Sequence, residues 1–201
     1  MLVNGEFVTN FASSRRRTVF EAHPTQHMKS NHCYKISWLP VFAALALAFT
    51  GCKSGPTPFA VVVEMDASFT GQRVPVDLVG INASQRRQWE EKSVTDYWGD
   101  ADPMRASARK HTLEFSKPGE TKLLKVDDAV WTKWIAEGGA EDMFVIADLP
   151  GMGKPNDARG DADPRRRILP LNPKAWVKGT DELKVIITRG GLEVVTRQRP
   201  R

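Results

Sequence analysis

Apolar positions along the chain fall into short runs separated by turn-forming residues. "FAVVVEMDA" (59–67) is Val-rich and partly alternating, which predicts a strand. "VPVDLVGI" (74–81) puts Val74, Val76 and Leu78 on one face, and Pro75 on the other marks an edge or a strand start, because it has no amide proton to donate. "HTLEFS" (111–116) and "TKLLKV" (121–126) are two more strands, joined by the tight turn Lys117-Pro118-Gly119-Glu120. "MFVIA" (143–147) is apolar without a break and reads as a buried strand, and "RILPL" (167–171) resumes extended structure. "ELKVIIT" (182–188) and "LEVVTR" (192–197) flank Arg189-Gly190-Gly191, a hairpin signal, since glycine supplies positive φ without strain. Helical spacing occurs twice. Asn82 and Gln85 form a capping box for a helix through Trp89, and Asp127 or Asp128 can cap a stretch carrying Trp131, Trp134 and Ile135 that stops at Gly138-Gly139. Eight short strands, few helices and a closing hairpin predict an all-β, antiparallel β-sandwich over residues 59–201. A small α+β domain is the alternative.

Upstream the pattern changes. Trp38 to Thr50 is an apolar run of 13 residues that includes Pro40. A helix needs about 20 to cross a bilayer, so the run is too short to span and suits the core of a signal peptide. Lys29 and Lys35 precede it, and Met28 stands just before them. Residues 28–51 are therefore expected to be a signal peptide, and residues 1–27 not to be translated; a genuine N-terminal arm is the alternative. Thr50-Gly51-Cys52 resembles the lipobox of bacterial lipoproteins, with Phe49 where Leu is usual. That resemblance implies that the signal peptidase cuts before Cys52, that Cys52 carries the lipid, and that residues 52–58 tether the domain to a membrane. Two acyl chains suffice for stable anchoring. By the same resemblance an Asp after the Cys would favour inner-membrane retention, so Lys53 in that place implies the periplasmic face of the outer membrane of a Gram-negative cell. The competing reading of Cys52 is a buried structural cysteine behind a core helix.

Removal of the leader changes the charge. The formal charge of +5 falls to +2 when Arg15, Arg16, Arg17, Lys29 and Lys35 leave with Glu6 and Glu21, so a nucleic-acid partner loses its electrostatic support. Cys33 leaves too, and an acylated Cys52 has no thiol to oxidise, so no disulfide staples the domain. "GDADPMR" (99–105) and "GDADPRR" (160–166) match at six of seven positions, which makes Asp100, Asp102, Asp161 and Asp163 candidate Ca²⁺ ligands. Neither stretch supplies the further oxygens of a calcium loop, and Asp-Ala-Asp-Pro is good turn chemistry, so no metal and no cofactor is expected. One histidine, His111, is left in the mature chain, and no Gly-x-Ser-x-Gly occurs. The chain thus reads as a binding or assembly module rather than an enzyme. The tryptophans could stack sugars, but core packing is the simpler use.

The order of these features resembles that of TssJ, the outer-membrane lipoprotein family of type VI secretion systems. The matching phrases are the lipobox, "VVVEMDAS", "VPVDLVGI", "SVTDYW", "LEFSKPGETKLL", "FVIAD", "RRRILPL" and the closing hairpin, across residues 59–196. The resemblance implies a transthyretin-like β-sandwich. It also implies a partner, the periplasmic region of an inner-membrane TssM-like protein, contacted through the loop between the first two strands. Here that loop is the short "SFTGQR", which points to Gln72 and Arg73. The long, Gly- and Asp-rich segment 149–164 is expected to be mobile and to add a second contact surface through Arg165, Arg166 and Arg167. A different envelope lipoprotein of β-sandwich fold, binding a ligand or glycan, is the alternative function.

Overall fold

The computed structural model of the chain describes residues 55–200. The expected leader, Cys52 and the first tether residues lie outside the described residues. Each predicted strand run supplies one strand: β1 (Ala60–Met65), β2 (Val74–Ile81), β3 (Lys110–Phe115), β4 (Thr121–Leu124), β5 (Asp142–Ala147), β6 (Arg166–Pro170), β7 (Glu182–Thr188) and β8 (Gly191–Val194). They form two four-stranded sheets, ordered β4-β1-β7-β8 and β3-β2-β5-β6. Alternation drives the packing. Val61, Val63, Met65, Leu183, Val185 and Ile187 of the first sheet share one core with Val74, Val76, Leu78, Met143, Val145 and Ala147 of the second. The fold is a β-sandwich.

One pairing departs from the antiparallel expectation. β1 and β7 run parallel, with Val61 opposite Leu183 and Met65 opposite Ile187. A period-two pattern sends the same side chains inward in either direction, so it does not encode polarity. The Lys-Pro-Gly-Glu turn also differs from a simple hairpin. β3 and β4 belong to different sheets, so the turn carries the chain across the sandwich edge. Gly119 takes φ +70° there, and the Glu120 carboxylate accepts the amides of Ser116 (2.8 Å) and Lys117 (3.1 Å). The β7–β8 hairpin forms as expected, but its glycine requirement lies at Gly191, with φ +137°. A Cβ at that position would come within 2.5 Å of the Pro164 carbonyl.

Between β2 and β3 the chain makes three short helices: α1 (Ala83–Glu91), α2 (Val94–Tyr97) and α3 (Pro103–Ser107). Asn82 caps α1 by accepting the Gln85 amide at 3.1 Å. The helices cover the outer face of the second sheet. Trp89, Val94 and Tyr97 pack on Val79, Ile81, Phe144, Ile146 and Ile168 as a second core. β5 is therefore buried at all six positions, which explains its unbroken apolar run. The expected helix around Trp134 is a π-helical turn, Thr132–Ala136, closed at Gly139 (φ +63°). Trp134 lies against Gly80 and donates its indole N–H to the Arg109 carbonyl at 2.5 Å.

Candidate functional site

The two ends of the sandwich differ. The chain enters β1 from residues 55–59, where the Thr57 amide donates to the Leu171 carbonyl (3.0 Å) and Phe59 is buried. The opposite end gathers the β1–β2 loop, the turn at 116–120 and the β7–β8 turn. The β1–β2 loop is tightly built. Phe69 is only 2% exposed and plugs the main core. Asp66 folds back to accept the Ser68 amide at 2.8 Å, and that bonding to Ser68 holds its carboxyl below the usual range. Arg189 places its guanidinium 5.9 Å above the Phe69 ring and donates to the Ser68 carbonyl at 2.6 Å. Gly71 turns the chain with φ +68°, after which Gln72 is half-buried and Arg73 exposed. The loop thus presents a short, pre-ordered edge on which Arg73 has no ion-pair partner among the described residues.

The three consecutive arginines do not form the surface cluster expected from the sequence. Arg165 and Arg166 are 2% and 1% exposed. Arg165 grips Asp163 through Nε (3.1 Å) and Nη2 (3.0 Å), and it also reaches Asp157 and the Thr95 hydroxyl. Asp157 in turn accepts the Ser93 hydroxyl at 2.7 Å and the Thr95 amide at 3.0 Å. Burial opposes the charge on Asp157, but these bonds outweigh it and hold its carboxyl below the usual range. Arg166 donates to five carbonyls: Trp89, Glu90 and Lys92 at the end of α1, and Ala158 and Gly160 in the long loop. Arg167 is half-buried and donates to the carbonyls of Asp163 (3.0 Å) and Asp161 (3.3 Å). Arg165 and Arg166 are buried and spent on internal acceptors, so those two do not offer charge to a partner. By the same bonds the segment 149–164 is pinned to the helical layer, with Leu149 in the main core. It is not the loose loop that its composition suggested.

Another buried charge fixes the helical layer. Asp77 of β2 is fully buried and accepts the Tyr97 hydroxyl (2.9 Å), Arg105 Nε (2.9 Å) and the Thr112 hydroxyl (2.6 Å). Burial and the neighbouring Asp77 carboxylate push the Tyr97 phenol well above its usual pKa. The two Gly-Asp-Ala-Asp-Pro stretches serve different ends. Asp102 caps α3 through the Arg105 amide (2.8 Å) and pairs with Lys92, whereas Asp163 holds Arg165. Asp161 accepts the Ile168 amide at 2.7 Å, and Asp100 is exposed. Among the described residues these carboxylates do not converge on a metal-sized site. His111 sits in β3 opposite Leu78. A cleft of about 530 Å³ opens between α1, α3 and the turn at 133–138, rimmed by Gln85, Gln88, Ser107, Arg109, Lys133 and Glu137. Sequence reasoning missed the Asp77 and Arg166 hubs; the one available signal was a charged residue inside an otherwise apolar strand, as at Asp77 in "VPVDLVGI".

No family model matches the chain, and no curated protein matches it. Among solved structures it is similar to Lip of Serratia marcescens, a membrane-bound component of the type VI secretion system. The two are 15% identical over 71% of this chain and 98% of Lip, with a TM-score of 0.45. It is similar to the type VI secretion lipoprotein TssJ1 of Pseudomonas aeruginosa at 11% identity, over 72% of this chain and 99% of that one, with a TM-score of 0.43. It is also similar to the C-terminal domain of TssM from EAEC, at 8% identity over 68% of this chain and 99% of that domain, with a TM-score of 0.46. All three are components of type VI secretion systems.

Proposed function

We propose that this chain is a lipid-anchored lipoprotein on the periplasmic face of the outer membrane. There it acts as an assembly module of a type VI secretion membrane complex, docking the periplasmic region of a TssM-like inner-membrane protein through its β1–β2 loop. The observation that carries the proposal is the opposition of the two ends. The tether enters β1 at Ala60 and the loop leaves it after Met65, so the six residues of the strand separate anchor from loop by about 20 Å. A domain held by Cys52 would turn Gln72 and Arg73 away from its membrane, toward a partner rooted in the other one.

The test is capture of the periplasmic TssM-like region by the full chain and by a Gln72→Ala/Arg73→Ala variant. Both residues lie outside the packed core, so the variant should melt like the parent while binding falls roughly tenfold, as for loss of one or two central contacts. Equal capture by both proteins refutes the assignment. Cys52→Ala should abolish incorporation of a fatty-acid analogue and release the protein from membranes. The cleft beside α1 favours a second reading, an envelope lipoprotein that binds a ligand or glycan. Retention of the protein on isolated peptidoglycan, lost on Gln88→Ala, would support that reading.

A further inference from the structure

The four large apolar side chains left most exposed among the described residues are Leu123, Val126, Val177 and Val195, at 50%, 53%, 46% and 50%. They share one region. Leu123 pairs with Val62 across β1 and β4, Val62 pairs with Lys184, and the Val195 amide donates to the Lys184 carbonyl at 2.9 Å. Leu123, Val62, Lys184 and Val195 therefore form one row on the outer face of the first sheet, a face that no helix among the described residues covers. Val126 follows β4 at the end where β1 begins. Val177 lies in the connection from β6 to β7, its amide bonded to the Arg197 carbonyl, at that same end. None of the four belongs to the loop end.

The chain restricts what can lie against this region. Thr57 is fixed to Leu171, and only five residue steps separate it from Cys52. Fully extended they reach at most ~17 Å, so a lipid on Cys52 holds this end of the domain within that distance of the headgroups. Nearby exposed charges are of both signs: Lys125, Lys174, Lys178, Arg197 and Arg199 against Asp127, Asp181 and Glu182. Mixed charge around exposed valines suits a headgroup surface of either net charge better than a nucleic acid or an acidic protein.

We infer that Leu123, Val126, Val177 and Val195 form a membrane-seating surface: the domain rests its tether end on the lipid headgroups instead of swinging on its tether. The inference builds on the reading of Cys52 as the lipid site. Seating fixes the loop end outward and spares the partner the cost of orienting a free domain.

The test uses the full acylated chain in vesicles of phosphatidylethanolamine and phosphatidylglycerol. A single fluorophore is attached through Lys178→Cys or, at the loop end, through Thr70→Cys, and a headgroup nitroxide lipid acts as quencher. Flotation with the vesicles and a fatty-acid label on Cys52 report the anchor independently. The expected result is several-fold stronger quenching at 178 than at 70, little changed in high salt, because apolar contact is not screened. Val126→Ser/Val177→Ser should shift the balance from seated toward lifted by about tenfold, from losing the burial of two half-exposed valines. A labelled, floating protein with both probes quenched alike overturns the seating surface and leaves the anchor standing. Shielding of the 178 probe by a second copy, seen as crosslinking that disappears on dilution in the membrane, also overturns it. Absence of the label on Cys52 overturns the anchor, and the seating surface with it.

Discussion

Replacing Arg166 should unfasten the helical layer from the sandwich. The guanidinium has five N–H donors, and all five are used on carbonyls: two on Trp89 and Lys92, two on Glu90 and Ala158, one on Gly160. Three of those carbonyls lie at the C-terminal end of α1, where a helix leaves its last carbonyls without intrahelical donors and favours a cation. Burial works against the charge and pulls the pKa of Arg166 below its ordinary value, with Asp163 and Asp161 opposing. An arginine remains protonated under those conditions. Arg166→Ala strands these acceptors. Each unpaired buried acceptor costs about 1–3 kcal/mol, but the costs are not additive, since water can reach part of the vacated site. Loss of the hub as a whole should cost about 3–5 kcal/mol, the scale for removing one partner of a buried charged contact. That is about a fifth or more of an ordinary domain's stability and should lower Tm by roughly 10 °C. Arg166→Lys should recover little, because a compact ammonium cannot fork to five acceptors. Urea unfolding followed by tryptophan fluorescence measures both, with Trp89 as a local reporter. Arg159→Ala is the control: its pair with Glu91 is exposed and worth at most about 1 kcal/mol. If Arg166→Ala unfolds within about 1 kcal/mol of the parent, the hub does not hold the layer, and the reasoning from donor count fails.

Three further outcomes follow from particular contacts. Asp77→Asn should cost about 2–4 kcal/mol by leaving Arg105 without its carboxylate. Hydrogen exchange should quicken over residues 83–107 well before the strands; uniform quickening would argue against a local latch. Gly80→Ala should destabilise by about 1–3 kcal/mol, because the new Cβ would meet Trp134 Cγ at 2.4 Å, and a neutral result in urea unfolding would show that Trp134 can yield. Glu120 should titrate far below an ordinary glutamate, its carboxyl drawn down to about 2 by the Ser116 amide and by Lys122. Its folded pKa is the depressed one, so its contribution to the turn is present above about pH 4.3 and is lost as pH falls toward 2. An NMR titration with a midpoint near 4.3 would contradict the turn geometry.

Strand positions were legible because each strand has an inward face with the period of the pleat. Val61, Val63 and Met65 alternate with Val62 and Glu64, and the run 143–147 is unbroken because β5 is covered on both sides. Polarity and sheet membership were not legible. The parallel β1–β7 pair and the crossing of the Lys-Pro-Gly-Glu turn depend on contacts between segments far apart in sequence, which local pattern does not carry. α2 and α3 were also missed. They span four and five residues, too few for a helical period to show, and are held by the Ser93 and Asp102 caps. At the loop end, Gln72 and Arg73 lie where the sequence placed them, whereas the role of Phe69 as a plug was hidden in a six-residue connection.

The arginine run shows why composition misled on the segment 149–164. Read locally, three arginines beside a Gly- and Asp-rich stretch describe a solvated, flexible surface. The same residues have another solution when acceptors lie within reach, and here they do. The free carbonyls of α1 and the carboxylates of Asp157 and Asp163 surround Arg165 and Arg166. A buried guanidinium is tolerated only when nearly every donor is matched, so the bonds that bury these arginines also order the loop that supplies the acceptors. Under the proposed docking role, this leaves the β1–β2 loop as the candidate surface. A segment whose carbonyls already hold Arg166 cannot rearrange around a partner without breaking the helical layer, whereas the β1–β2 loop is anchored through Phe69 and Arg189 and leaves Arg73 without an ion pair among the described residues. Exchanging residues 151–162 for a short Gly-Ser link should therefore unfold or loosen the helical layer rather than selectively weaken partner capture. A variant that stayed as stable as the parent, by urea unfolding, would return the long loop to the list of recognition surfaces.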